Sequence, residues 1–381
     1  MAKDSIGLYI HFPFCLRKCL YCDFPSYAGK EPLMDDYLDA VKCEIDQIKN
    51  RIVGRKIETI FWGGGTPTLF HGEKLKDLLG YIKENFMFSE NVEITTEANP
   101  ETLNKEKLEL LKEAGVNRLS IGMQAGQDCL LKMLGRVHSI SDVERSVQWA
   151  KDLGFNNINV DLMFGLPGQT LDQWMETLAM AVDMGVEHIS AYALIIEEGT
   201  PFYELEHQGK LNTPSEEVER EMYHKGIGYL KRKGYIQYEI SNFAQPGKEC
   251  LHNLIYWKNK DYIGIGCGAH SSLDGERWSN YNDILQYIKS ISNKRTAVEH
   301  RQRIPVSEQR FETVMMGLRL IAGVSKLEFR KRFNNDIRHY YGKSIDKLKA
   351  QGLLGEDTNN IYLTSKGMDL QNQVLLYFMD Y

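Results

Sequence analysis

Cys15, Cys19 and Cys22 follow one another in a C-x-x-x-C-x-x-C spacing. Three thiolates this close converge on a soft metal. Four would close an iron–sulfur or zinc site; three leave one metal position open, and chemistry takes place at an open position. Disulfides are disfavoured. Seven cysteines in 381 residues are sparse and odd in number. Met1-Ala2-Lys3-Asp4 lacks the charged-then-apolar character of a signal sequence, so the expected compartment is a reducing cytoplasm. Structural zinc pairs two separated cysteine couples, and no second couple exists; completion by His11 is the remaining zinc alternative. Cys43, Cys129, Cys250 and Cys267 are scattered singly and are expected to be small buried residues. A three-cysteine iron–sulfur site is the favoured reading.

Two further clusters carry chemistry. Gly63-Gly64-Gly65-Thr66-Pro67-Thr68 lets backbone amides approach a ligand, because no Cβ intervenes. No lysine follows as in a phosphate loop, and a ligand bearing an α-amine and α-carboxylate fits as well. Glu97 and Asp161 suit an ammonium or ribose hydroxyls, and Arg136 a carboxylate. His252-Asn253-Leu254-Ile255-Tyr256-Trp257 sets a histidine beside large aromatics. Such a group ligates haem iron or lines a flat porphyrin pocket; the plainer reading is an aromatic corner of the core with a hydrogen-bonded histidine.

The elements that must position these residues alternate. Strand-like runs lie at 6–10, 57–62, 92–96, 118–123, 158–163 and 188–196. Between them fall helix-period segments. One opens with Ser141 and Glu144 as a capping box. One starts near Thr170 with Trp174, Leu178 and Val182 on a stripe, and one carries Leu108, Leu111 and Ala114 before Gly115. Strand–helix alternation implies right-handed crossovers and a parallel sheet. Six units predict an α/β fold, an incomplete (β/α)6 TIM-like barrel, with a doubly wound sheet as the alternative. The second to fifth strands end in the glycine run, Glu97, Gln124 and Asp161, and the cysteine loop follows the first. In a parallel barrel these strand ends form the active face.

Beyond 199 the pattern changes. Pro214 with Glu216 predicts the start of a long helix, 242–248 a loop, and 294–303 a polar, basic linker. Phe311, Val314, Met315 and Leu318 share a helical face. Ser325 with Glu328 caps the next helix, and Asp357-Thr358-Asn359-Asn360 turns between short strands before a last helix from about Ser365. The expected division is 1–235 barrel, 236–303 extension and linker, and 304–381 a mainly helical, winged-helix-like domain that serves packing or docking. A formal net charge of −6 argues against a nucleic-acid partner. No apolar run reaches the ~20 residues of a membrane span, so membrane contact is peripheral at most.

The cysteine motif with Gly63-Gly64-Gly65-Thr66-Pro67 resembles radical S-adenosylmethionine (SAM) proteins. Residues 9–15, 97–100 (Glu-Ala-Asn-Pro), 120–124 (Ser-Ile-Gly-Met-Gln) and 159–168 narrow the resemblance to the oxygen-independent coproporphyrinogen III oxidase family, over nearly the whole chain. That resemblance implies a [4Fe–4S] cluster on Cys15, Cys19 and Cys22, with SAM chelating the fourth iron. It implies Tyr9, Gly64, Glu97 and His270 against this SAM. Tyr21, Gly65, Thr66, Gln124, Arg136, Asp161 and Ile195 match the positions lining a second SAM in the oxidases. Three departures point to the HemW-type haem chaperones of the same family. Phe24 stands where oxidases have a further cysteine, little chain precedes Cys15, and the His-Asn-x-x-Tyr-Trp motif is present. The implied function is haem binding and transfer to haem-accepting proteins such as respiratory enzymes. His252, Tyr256 and Trp257 are the implied haem-side residues, and oxidative decarboxylation of coproporphyrinogen III is the alternative.

Overall fold

The computed structural model describes residues 5–379, so the Met1–Asp4 segment on which the leader reading rests lies outside the described residues. Six parallel strands cross it: β1 (Ser5–Phe12), β2 (Lys56–Gly64), β3 (Met87–Ala98), β4 (Arg118–Gln124), β5 (Ile158–Phe164) and β6 (His188–Ala193). Their spatial order is their chain order. A doubly wound sheet reverses its order at a switch point. This sheet does not, and it is the incomplete barrel.

β1 and β6 do not close on each other. β7 (Ile236–Gln237) and β8 (Asn242–Ala244) add antiparallel to the β6 edge. On the other edge β9 (Tyr262–Ile265) pairs parallel with β1. Then β10 (His270–Leu273), β11 (Glu276–Asn280) and β12 (Val298–Arg303) follow antiparallel. Two expectations change here. The 242–248 loop contains β8, because the open β6 edge takes Phe243 opposite Ile189 and buries it. The 294–303 linker contains β12, whose exposed charged residues suit an outer edge strand.

Strand alternation assigns the two faces. Leu8, Ile10, Phe12, Ile60, Trp62, Leu119, Ile121, Val160 and Leu162 are buried in one core with the outer helices. The opposite, inward face carries Tyr9, His11, Thr59, Glu93, Arg118, Ser120, Asn159, Asp161 and His188. A polar lumen on a greasy outer wall is the central feature of the fold.

Helix ends follow local chemistry. Thr170 and Gln173 form a reciprocal capping box, as do Ser139 and Asp142. The second lies two residues before the Ser141–Glu144 pair, since Ser141 falls inside the first turn. The helix Glu216–Arg232 is capped by Ser215, whose hydroxyl accepts from Val218; Pro214, without such a group, precedes the cap. Residues 306–379 form a separate core around Val314, Leu318, Phe329, Tyr341, Ile345 and Ile361. Three helices, Val306–Gly317, Lys326–Phe333 and Ile337–Ala350, pack beside a three-stranded sheet: β13 (Val324–Ser325), β14 (Leu354–Glu356) and β15 (Asn360–Leu363). This is the winged-helix-like unit. It docks through Ile240 N–H to Arg319 O at 3.2 Å and Ile321 N–H to Tyr238 O at 3.0 Å. Among the described residues no helix is long and apolar enough to cross a membrane.

The short helix Leu251–Trp257 floors the barrel. Its first amides donate to Glu93 of β3, Leu251 at 3.1 Å and His252 at 3.0 Å, while the Cys250 thiol faces the same carboxylate. Arg118, fully buried, is the nearby compensating charge. Glu93→Ala strands both amides and leaves Arg118 short of a counter-charge. Stability falls by about 2–4 kcal/mol in urea unfolding; a loss below about 1 kcal/mol would contradict this floor.

Candidate functional site

The cysteine loop leaves β1 and is pinned at both ends. Cys15 N–H donates to Tyr27 O at 3.0 Å and Leu20 N–H to Leu134 O at 3.1 Å. Cys15, Cys19 and Cys22 are half-buried free thiols. Burial raises the Cys15 and Cys22 pKa, and the neighbouring Cys19 raises both further, so the three share one electrostatic environment. As they stand, they are not drawn into a closed group: among the described residues no three His, Cys, Asp or Glu side chains converge as a metal site. Cys250 and Cys267 are buried as expected. Cys43 and Cys129 are exposed, because each falls on the solvent side of its helix.

The glycine run behaves differently from the expectation that its amides face a ligand. Gly65 and Thr66 donate to Phe12 O and Phe14 O, both at 2.8 Å, and Gly64 donates to Glu97 Oε2 at 3.0 Å. The run therefore fastens the exit of β1 to the end of β3. Gly64 adopts φ +104°, and a Cβ there would lie 2.2 Å from the His11 ring; one at Gly65 would lie 2.6 Å from two carbonyl oxygens. Only glycine fits either position.

Glu97 stands at the centre of the rim. Burial lifts its pKa to about 8, helped by Asp161 across the lumen; the Gly64 amide and Arg118 oppose the rise. Asp161 is held by Ser120 Oγ at 3.1 Å and Asn159 Nδ2 at 2.9 Å. Tyr9 adjoins Glu97, and its hydroxyl faces His11 Nδ1 at 3.0 Å. His11 Nε2 lies 2.8 Å from Pro25 O, which only accepts, so Nε2 carries the proton and Nδ1 accepts from Tyr9. Burial drops the His11 pKa to about 4, leaving the ring neutral, and both of its nitrogens are engaged by Tyr9 and Pro25. His270 is exposed on β10 but near enough to His11 to lower that pKa.

A second group gathers at the cysteines. The half-buried Arg136 guanidinium donates to Asn99 Oδ1 at 3.0 Å. Asn99 Nδ2 donates to Thr66 Oγ1 at 2.9 Å, and Thr66 Oγ1 donates to the Cys15 sulfur at 3.7 Å. Arg136 also interacts with Cys19 and Tyr21. Gly122 leaves space for this group, since a Cβ would meet Arg136, Gln124 and Asn99 within 3.0 Å. Gln124 ends β4 at φ +65°, a strained conformation for a non-glycine residue at a bulge. Asn99 was missed in sequence; its position after Glu97-Ala98 gave a motif but no role. Ile195 stands apart, 66% exposed on the loop after β6, while Leu194 and Ile196 turn inward.

This chemistry fits an anionic iron–sulfur cluster: three soft donors on one loop, with a half-buried cation and a hydroxyl directed at them.

The His252 motif lies deeper, on the floor helix. Its Nδ1 meets Thr59 Oγ1 at 2.7 Å and its Nε2 meets Tyr256 OH at 2.9 Å. The ring stacks on Phe61 with centroids 5.2 Å apart, and burial drops its pKa to about 3. Both nitrogens are taken, so in this arrangement His252 is a hydrogen-bonded core histidine rather than an open iron ligand. Trp257 packs under the Arg319 guanidinium, 4.5 Å from the ring centroid.

Comparisons with known proteins agree with this architecture. The Radical SAM superfamily profile matches residues 9–181, and the HemN C-terminal domain profile matches residues 304–370. Fold and rim thus define a radical SAM protein. "Heme chaperone HemW" of Bacillus subtilis (strain 168) is 41% identical over 97% of this chain and 98% of its own. The protein of the same name from Escherichia coli (strain K12) is 35% identical over 98% of each. The chain belongs to the HemW family. Among solved structures, Escherichia coli coproporphyrinogen III oxidase (HemN), described as a radical SAM enzyme, superposes with a TM-score of 0.86. It covers 99% of this chain and 91% of that one at 24% identity, a likeness of fold.

Two outcomes follow from the rim. Gly64→Ala forces a strained φ and a ring clash, lowering stability by about 2 kcal/mol or more in thermal unfolding; an unchanged midpoint would contradict the fastening. Glu97, raised to about 8, holds a proton in the folded state that the unfolded chain releases near its ordinary value of 4.5. Stability therefore falls as pH rises from about 4.5 to 8 and levels off above. The slope approaches about 1.4 kcal/mol per unit inside that window. Glu44, raised to about 7 by burial, acts in the same direction, so the readout is the difference between wild type and Glu97→Gln. A difference independent of pH would overturn the assignment.

Proposed function

We propose that this protein binds haem and passes it to acceptor haem proteins, and that it carries a [4Fe–4S] cluster on Cys15, Cys19 and Cys22 with exchangeable SAM at the fourth iron. The observation that carries the reading is full-length identity to proteins named heme chaperone HemW. Phe24 supports it: where the resembling oxidases have a further cysteine, this chain sets a side chain 60% exposed beside the cluster loop.

Within this reading Tyr9, Gly64, Glu97 and His270 surround the SAM bound to the cluster. Glu97 meets the SAM amine, and the fixed His11–Tyr9 pair holds the adjoining wall. Tyr21, Gly65, Thr66, Gln124, Arg136, Asp161 and Ile195 are the remaining SAM-side positions, with Arg136 acting on the cysteines and Thr66 on Cys15. The His252–Trp257 helix is the haem-side element; His252 fixes it to β2 through Thr59 and Phe61, Tyr256 bonds His252, and Trp257 ties it to the C-terminal unit through Arg319. The acceptors include haem-dependent respiratory enzymes, and the protein works in the cytoplasm.

The test is anaerobic reconstitution followed by haem titration at the Soret band, with coproporphyrinogen turnover assayed in parallel. Stoichiometric haem binding without turnover is expected. Turnover to protoporphyrinogen without haem binding would replace this reading with the oxidase. In the same preparation Cys15→Ala, Cys19→Ala and Cys22→Ala each lose the brown iron–sulfur absorbance, and the exposed Cys129→Ala keeps it.

A further inference from the structure

On the solvent side of the floor helix lies a cavity of about 450 Å³, away from the cysteine rim. Pockets that hold small ligands span roughly 300–1,000 Å³. One wall is Leu251 and Leu254, which point away from His252, with Ile255 buried behind them. Thr59 joins the two sides, since it lines the cavity and its hydroxyl also meets His252 Nδ1. The other walls come from the first half of β2 and from β3, with Ser89 and Asn91.

The charges at this cavity are unevenly paired. Lys260 is bonded to Glu58 at 3.2 Å. Lys56 and Lys258 have no ion pair among the described residues, and partial burial lowers the Lys258 pKa. Glu90 opposes them from the edge. An aliphatic wall with two uncommitted ammonium groups suits a flat apolar body bearing carboxylates. No histidine, cysteine or methionine lines the cavity.

We propose that this cavity is the cargo site, taking a tetrapyrrole dicarboxylate with its macrocycle on Leu251, Leu254 and Ile255 and its propionates at Lys56 and Lys258. The inference rests on the haem-chaperone reading and specifies its site. Recognition then uses the ring and carboxylates and leaves iron without a strong protein ligand, which suits a carrier that must release its load. The helix contributes through both faces: His252 and Tyr256 bond to each other on the inside, while Leu251 and Leu254 form the wall outside.

The experiment titrates the full chain with hemin, iron-free protoporphyrin IX and protoporphyrin IX dimethyl ester, following absorbance and tryptophan quenching. Hemin and protoporphyrin IX are expected to bind within about threefold of each other, and the diester at least tenfold more weakly. Lys56→Glu/Lys258→Glu and Leu254→Trp are each expected to weaken hemin at least tenfold with an unchanged unfolding midpoint, and Glu90→Gln to tighten it. Hemin binding that is unaltered in these variants, or absent for the iron-free porphyrin, overturns the site and leaves the chaperone reading standing. No hemin binding by wild type overturns both.

Discussion

The bond between Glu93 and the first amides of the helix Leu251–Trp257 is the constraint on which the rest of the molecule depends. An open six-stranded barrel with a polar lumen has two problems. Its interior contains charges that water cannot reach, and its floor is unsealed. Glu93 addresses both. It is the counter-charge for buried Arg118, and it accepts from Leu251 and His252 at the helix start, where amides otherwise lack partners. A buried anion at a helix N-terminus is favourable where an isolated one is costly.

From this floor two physical connections reach the rim. One is a hydrogen-bond network. His188 Nδ1 donates to Asn159 Oδ1 at 2.6 Å, and Asn159 Nδ2 donates to Asp161. On its other side His188 Nε2 accepts from Tyr238, whose oxygen accepts from Cys250 N–H at 3.3 Å. The other is a series of rings: His252 on Phe61, Phe61 near Tyr9, and Tyr9 bonded to His11. Asp161 and Tyr9, two rim residues, are thus seated on the same layer that holds the helix. Cluster rim and floor helix are parts of one packed lumen, and a change in either is felt through groups with few alternative partners.

Much of the fold was legible because strand and helix signals alternate with their caps in place, and because chain order translated directly into sheet order. The site was legible where residue type alone restricts chemistry, as with three cysteines in one loop. Legibility failed where an edge recruits whatever chain is near: β8 and β12 have weak strand character and exist because β6 and β11 need partners. It failed again at the glycine run, whose amides are consumed internally, and at Asn99, whose role depends on lying between Arg136 and Thr66. His252 illustrates the limit most clearly. Its neighbours in sequence suggest an iron ligand; its neighbours in space, Thr59 and Tyr256, take both nitrogens.

The most direct measurement is native-state hydrogen exchange at the Leu251 and His252 amides. First-turn amides of a short helix ordinarily exchange fast, because nothing in the helix bonds them. If Glu93 anchors this helix inside the barrel, both amides exchange as slowly as the core amides of β2 and β3. Exchange at the rate of an exposed turn, with β2 and β3 protected, would contradict the account.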